Sequence, residues 1–421
     1  RYRHVTGVQT CALPILIALL LAAGLMWNPW ATPQAGRPAP QIKQGDFKAF
    51  EQYAAELIHG EMTRKNIVGL SAAVIIGDKI VWSKGFGYAD REGRIPATPE
   101  TVYRVGSISK IPNAIAVLKF AADEKIDLNA PITRYIPEFT VKSRFAASPV
   151  ITPRQLMTHH AGLPNDIVKG MWGKNPAPFQ TVVSLLKEEY LAYPPGTIHA
   201  YCNLGADLLG VMLERVSGKE YAELLPAAVL QPLDMANSSY TLQPHIKQKL
   251  SMGYNKDGQP EHDVAMRDIP AGNLYTNVLD LGNMLIMLLN NGAFRGRQIL
   301  PEKLVREMLS PQNDDTPLDG NFKIGYELFL QSPSLSYAGN DFRHGGHLYL
   351  FHGQIIGIAE QKTAVAVLAN SAGAAESVQP IAEQLLKAAV AASSGLLPPA
   401  PDPRPKTATL PPGLREPANY A

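Results

Sequence analysis

Strand-like patterns stand at both ends of this chain and helical patterns fill its middle, which implies a sheet completed by the two termini. Gly69-Leu-Ser-Ala-Ala-Val-Ile-Ile76, the turn Gly77-Asp78 and Ile80-Val-Trp-Ser-Lys-Gly-Phe-Gly87 read as two strands joined by a tight turn. Strand-like runs return at residues 324–330, 334–343, 351–360 and 364–370. Between them helical spacing dominates from Ser107 to about Asn291, including 208–216 and 278–289. Asp46 can cap a helix whose apolar residues Phe47, Phe50, Ala54, Leu57 and Ile58 fall at three- and four-residue spacing. A last helix is expected from Pro380, suited to a first helical position, to Ala392, with Glu383 and Lys387 at i,i+4. The expected class is α/β in the α+β sense: an antiparallel sheet built from both chain ends, flanked by helices, with an inserted helical lobe.

The two extremities do not belong to that unit. Val5-Thr-Gly-Val-Gln-Thr-Cys-Ala-Leu-Pro-Ile15 looks like a translated sequencing-adapter oligonucleotide, so residues 1–15 are set aside. Leu16 to Trp27 is an uncharged apolar run of twelve residues that gives way to a Pro/Gln/Gly-rich stretch. Residues 16–45 therefore read as a signal-peptide remnant plus linker; a bilayer span needs about 20 residues, and a short membrane anchor is the alternative. The expected location is exported: periplasmic, extracellular or membrane-anchored. From 393 to 421 prolines recur, as at Pro398, Pro399, Pro401, Pro403 and Pro405, so an extended linker is expected, one that in longer chains leads to a further domain.

About 345 residues remain between these ends (46–392), enough for one compact unit of two lobes. The 39 basic and 37 acidic residues leave a net charge of +2, which offers no field for nucleic acid. With Cys11 in the adapter-like segment, Cys202 stands alone and forms no intramolecular disulfide.

Three short motifs occur in a fixed order: Ser107-Ile-Ser-Lys110, Tyr201-Cys-Asn203 and His344-Gly-Gly346. Each recurs elsewhere, at Ser184 and Lys187, Tyr275 and Asn277, and His160 and Gly162, so order and context carry the signal. On a helix, residues i and i+3 share a face, which sets the Lys110 amine beside the Ser107 hydroxyl, able to take its proton if burial lowers its pKa. A serine at a helix start also meets free N–H groups that favour an alkoxide and an oxyanion. Gly106 allows close backbone approach. Pro112, five residues after the serine, implies a kink or an irregular first turn.

The surroundings of these motifs, Tyr103-Arg-Val-Gly-Ser-Ile-Ser-Lys110, Pro195 to Gly210, Pro270-Ala-Gly-Asn-Leu-Tyr-Thr276 and His344-Gly-Gly346, closely resemble the serine β-lactamase-like hydrolases. That family includes class C β-lactamases, D-Ala-D-Ala carboxypeptidases, D-aminopeptidases and esterases, and the resemblance runs from about Asp46 to Ala392. It implies a β-lactamase/transpeptidase-like fold, with Ser107 as nucleophile and Lys110 and Tyr201 as proton-moving partners. Asn203, His344, Gly345 and Gly346 would bind substrate, and the N–H groups of Ser107 and His347 would hold the oxyanion. His344 stands where β-lactamases usually carry lysine, and its 26-residue spacing to Asn370 favours it over His352. Protonation near pH 6.5 is expected to give His344 the positive charge that lysine supplies elsewhere.

Other residues read plainly. His159 and His160 are adjacent and point apart, which does not suit a metal site, and no cofactor is expected. Cys202 reads as a small buried side chain and Met284 and Met287 as core. Gly69-Leu-Ser71 lacks the final glycine of a nucleophile elbow. The expected function is a serine hydrolase acting through an acyl-enzyme on a peptide amide, ester or β-lactam, with a small-molecule or peptidoglycan-derived substrate. A catalytically idle penicillin- or peptidoglycan-binding sensor is the competing expectation.

Overall fold

The computed structural model describes residues 41–145 and 150–399. The adapter-like segment, the apolar run at 16–27 and nearly all of the proline-rich tail lie outside the described residues. Among the described residues no helix is long and apolar enough to cross a membrane.

Asp46 caps the first helix, α1 (Phe47–Lys65), its carboxylate accepting from the Ala49 N–H at 2.9 Å. Ile42 is buried and the Gly45 N–H donates to the Ala392 carbonyl at 2.8 Å, so part of the stretch expected as linker is packed. Strands β1 (Gly69–Ile76) and β2 (Lys79–Asp90) form the expected hairpin through Gly77 and Asp78, and β3 (Ile95–Pro96) adds an edge. The C-terminal half supplies β4 (Lys323–Ile324), β5 (Phe329–Leu330), β6 (Asp341–His347), β7 (His352–Ile358) and β8 (Thr363–Ala369). The antiparallel order is β4-β5-β6-β7-β8-β1-β2-β3, with Leu70 opposite Ala369 and Ile76 opposite Thr363 at the central seam. The two chain ends thus meet in the middle of one sheet, as expected.

Two strand-like runs break up. In 324–330 the chain turns at Gly325, whose N–H donates to the Leu328 carbonyl, so this run is a hairpin of two short strands, with Glu327 at φ +55°. In 334–343 only the end from Asp341 is strand, because Pro333–Leu335 forms a 3₁₀ turn. The last helix, α5 (Val378–Ser394), starts two residues before Pro380, whose missing N–H costs nothing within the first turn. Its Lys387 and Glu383 pair at 2.7 Å.

Side chains alternate across the sheet, and each face has its own core. Leu70, Ala72, Val74, Val365 and Val367 face α1 and α5, packing with Phe50, Ile58, Ile381 and Leu385. Ala73, Ile75, Ile355, Ala366 and Leu368 face the helical lobe, against α2 (Lys110–Ala122), α3 (Asn203–Ser217) and α4 (Val278–Leu289). Full burial of each Leu, Ile or Val contributes about 1.5–3 kcal/mol, which fixes the register that carries the site.

Candidate active site

Ser107 lies on a 3₁₀ turn, Gly106–Ser109, that runs directly into α2. Lys110 is then the first residue of the α-helix and Pro112 the third, where no intrahelical partner is needed, so the irregular first turn expected from Pro112 is this 3₁₀ segment. Gly106 has φ +51°, and a Cβ there would stand 2.8 Å from the backbone nitrogen of His347. A Cβ on Gly346 would lie 1.8 Å from the Val105 carbonyl. The two glycines let β6 and the serine turn touch, so Gly346 faces the turn rather than opening a path for substrate.

Lys110 is wholly buried and its ammonium meets Ser107 Oγ at 3.2 Å, Asn203 Oδ1 at 2.7 Å and the Ala271 carbonyl at 2.8 Å. Its Nζ also sits 5.0 Å from the centre of the Tyr201 ring. Burial alone would lower its pKa, but Tyr201, Glu327 and Asp207 together outweigh burial and hold it above the usual lysine value. The sequence expectation of a lysine neutralised by burial is therefore corrected: its acidic and phenolic neighbours hold Lys110 above the usual lysine value, so it is a cation in the resting site. Tyr201 is raised as well, by burial first, while Lys110 pulls the other way and both Lys110 and Ser107 hydrogen-bond to it.

Tyr201 and Asn203 flank Cys202, the residue that caps α3 with its sulfur accepting from the Gly205 N–H at 3.2 Å. Cys202 is buried, and burial pushes its thiol well up. The Asn203 amide is engaged at both ends, Oδ1 by Lys110 and Nδ2 by Asp166 Oδ1 at 2.9 Å. It thus bridges Lys110 and Asp166 at the edge of the site.

His344 is also corrected. It is buried, and burial together with the Lys110 cation pushes its pKa down to about 3, so it gains no charge near pH 6.5. Its Nδ1 lies 2.6 Å from the Gly345 carbonyl, which can only accept, so Nδ1 carries the proton and Nε2 presents a lone pair. Such a ring repels a carboxylate. Gly345 follows it on β6, and the His347 Nδ1 stands 3.0 Å from the His352 Nδ1.

The repeated motifs sit elsewhere. Ser184 is exposed and donates to the Thr181 carbonyl at 2.8 Å, Tyr275 lies under Arg104, and Asn277 caps α4. His159 and His160 do point apart: His160 Nε2 reaches Asp319 Oδ2 at 2.8 Å, while His159 faces Tyr201, ring centres 4.4 Å apart. Among the described residues no group of three or more His, Cys, Asp or Glu could hold a metal. Glu327 escaped the sequence reading altogether. It is fully buried with Oε2 3.0 Å from His159 Nε2, and the one available signal was a lone acid inside the apolar run Ile324 to Leu330.

A sheet joined from both termini, a helical lobe and a serine–lysine turn at their junction define the β-lactamase-like class of serine hydrolase folds. The family model described as Beta-lactamase matches residues 54–390, and the chain belongs to that family. It is 26% identical over 248 residues to Protein flp of Staphylococcus aureus (strain N315), covering 57% of this chain and 49% of that protein. It is 31% identical over 220 residues to Esterase EstB of Burkholderia gladioli, covering 49% of this chain and 55% of that one. The chain thus spans about half the length of these curated relatives. Among solved structures, the octameric penicillin-binding protein homologue from Pyrococcus abyssi superposes with TM-score 0.68 at 28% identity, covering 81% of this chain and 77% of that one. EstCE1, a hydrolase with promiscuous acyltransferase activity, superposes with TM-score 0.69 at 20% identity, covering 81% and 99%, a likeness of fold.

Proposed function

We propose that this protein is a serine hydrolase that forms an acyl-enzyme on Ser107 and acts on uncharged esters in preference to carboxylated lactams or peptides. The observation that carries this reading is the Lys110 ammonium, 3.2 Å from Ser107 Oγ and fixed by Asn203 and Ala271. The preference for neutral substrates rests on His344, an uncharged ring with its proton committed to Gly345. Similarity to Esterase EstB supports the same side.

In this scheme the Lys110–Tyr201 pair loses one proton to the medium and becomes the base. Ser107 Oγ then attacks the ester carbonyl carbon while its proton passes to the pair. The N–H groups of Ser107 and His347 hold the oxyanion in this scheme, a role supported by the close approach of Gly106 to the His347 nitrogen. The C–O bond to the alcohol breaks, the pair returns the proton to the leaving oxygen, and water reverses the sequence to release the acid. A fluorophosphonate should phosphonylate Ser107 with loss of fluoride, read as one mass adduct on the peptide carrying it. Ser107→Ala should take no adduct and lose hydrolysis of p-nitrophenyl esters while melting within a few degrees of wild type, since a hydroxyl at a helix start contributes about 1 kcal/mol. An unlabelled wild-type protein without esterase, nitrocefin or D-Ala-D-Ala activity would favour the idle binder.

A further inference from the structure

A buried carboxylate and a buried imidazole stand behind Tyr201, and the reaction as proposed uses neither. Glu327 sits at the tight turn between β4 and β5 with φ +55°, a left-handed backbone that a side chain adopts at a cost. Its side chain is fully shielded from solvent; Oε2 lies 3.0 Å from His159 Nε2 without hydrogen-bond geometry, and neither carboxylate oxygen has a hydrogen-bond partner among the described residues. His159 is itself at φ +59°. Its Nδ1 accepts the Cys202 N–H at 3.2 Å, so the ring proton is on Nε2, the nitrogen nearer the carboxylate. The same ring lies 4.4 Å from that of Tyr201. His159 is thus held against the phenol, with Glu327 from a separate loop behind it.

The charged and titratable groups around this pair are few. Lys110 comes from α2, His159 and His160 from the loop after Pro153–Met157, His199 and Tyr201 from the segment before α3, and His344 from β6. His160 is committed to Asp319. Burial holds His159 well below the usual histidine range and His199 down at about 3, and His344 is neutral too, so Lys110 is the cation that answers the Glu327 carboxylate.

We propose that Glu327, buried behind Tyr201 and beside His159, sets how readily the Lys110–Tyr201 pair releases the proton that makes it a base. One carboxylate acts in the same direction on both members: it favours the Lys110 ammonium and disfavours a Tyr201 phenolate. Burial pushes Glu327 up to about 8, so its charge develops as the medium turns alkaline, where the pair must deprotonate. Glu327 is in this sense a brake on activation.

The kinetic side of this proposal rests on the serine-hydrolase reading, but the electrostatic side does not. Tyr201 ionisation is measured by ultraviolet difference titration, each protein minus its Tyr201→Phe counterpart, in wild type and in Glu327→Gln. The pH dependence of kcat/KM for a neutral p-nitrophenyl ester is followed in parallel. Removing the negative charge should move the Tyr201 titration about one pH unit or more toward acid, the range typical of a neighbouring charge. The rising alkaline limb of kcat/KM should move with it, while KM stays within about twofold of wild type. Glu327→Gly, which suits the left-handed backbone, removes the same charge and carries the test if the glutamine variant folds poorly. A Tyr201 titration unchanged in folded Glu327→Gln or Glu327→Gly overturns the proposal. A shifted titration in a protein that hydrolyses no ester supports it and overturns the hydrolase reading instead.

Discussion

Lys110 shows why the site is read from environments rather than motifs. Buried beside Ser107, Asn203 and the Ala271 carbonyl, it is held above the usual lysine value by Tyr201, Glu327 and Asp207, and in the proposed reaction the pair it forms with Tyr201 is the base. Tyr201→Phe should therefore lower kcat/KM for an ester by two or more orders of magnitude, as loss of a positioned proton-transfer group does. Ser184→Ala and Tyr275→Phe, at sites that bond only to their own surroundings, should change it by less than about threefold. A near-silent Tyr201→Phe, measured in the same assay, would remove the phenol from the mechanism. His344 leads to a second expectation. With its pKa pushed down to about 3, KM for a carboxylated substrate should stay flat between about pH 5 and pH 8, and an improvement below pH 6.5 would mean that the ring is protonated after all. The juxtaposition of Ser107, Lys110 and Tyr201 was legible because an ordered set of motifs is rare. The partners of Asn203 and the charge state of His344 were not, since they depend on neighbours distant in sequence: Asp166 and Lys110 for the amide, and burial beside Lys110 for the ring.

At the scale of elements, catalytic geometry depends on a strand touching a turn. The Asp46 cap, the β1–β2 hairpin and the strand-like runs of β7 and β8 were readable from local pattern, because each signal lies within about ten residues. The interruptions at Gly325–Leu328 and Pro333–Leu335 were not, since a strand-like run gives no sign of which carbonyl will close a turn. The contact between β6 and the serine turn joins residues far apart in sequence, and glycine alone hints at it. Gly346→Ala would drive a methyl group into the Val105 carbonyl, so the turn must shift. Overpacking of this kind costs about 1–3 kcal/mol, and a displacement of about 1 Å at a nucleophile can cost 10²-fold in rate. The expected result is at least that loss in kcat with a lowered melting temperature. Gly205→Ala is the matched control: its Cβ would meet Leu156 at an ordinary 3.5 Å and it lies in the first turn of α3. That variant should keep activity within about threefold, and equal damage in both would show that the β6 contact is not special.

For the whole molecule, the sheet was predictable because strands at both termini have few other partners, and the central pairing of β1 with β8 closes it. The buried polar cluster at the junction of sheet and lobe was not predictable, yet it governs how the protein answers acid. His199 and His352 are held down at about 3, as is His344, each by burial first. The unfolded chain protonates such rings near 6.5, so from 6.5 down to about 3 the unfolded state binds protons that the folded state does not. Their contribution to stability is complete above pH 6.5 and is lost progressively as pH falls toward 3. Each ring forfeits on the order of 4 kcal/mol across that window. Set against a total stability of about 5–15 kcal/mol, two or three such rings are enough to unfold the protein before pH 3 is reached. Circular dichroism across that range should show a cooperative acid transition between about pH 3 and pH 5. His199 packs on Phe322 at 4.5 Å between ring centres, so His199→Phe keeps an aromatic neighbour while removing one titrating ring. Its acid midpoint should move to lower pH with the melting temperature at pH 8 little changed, and a midpoint that stays put would show that His199 is not among the groups driving acid unfolding.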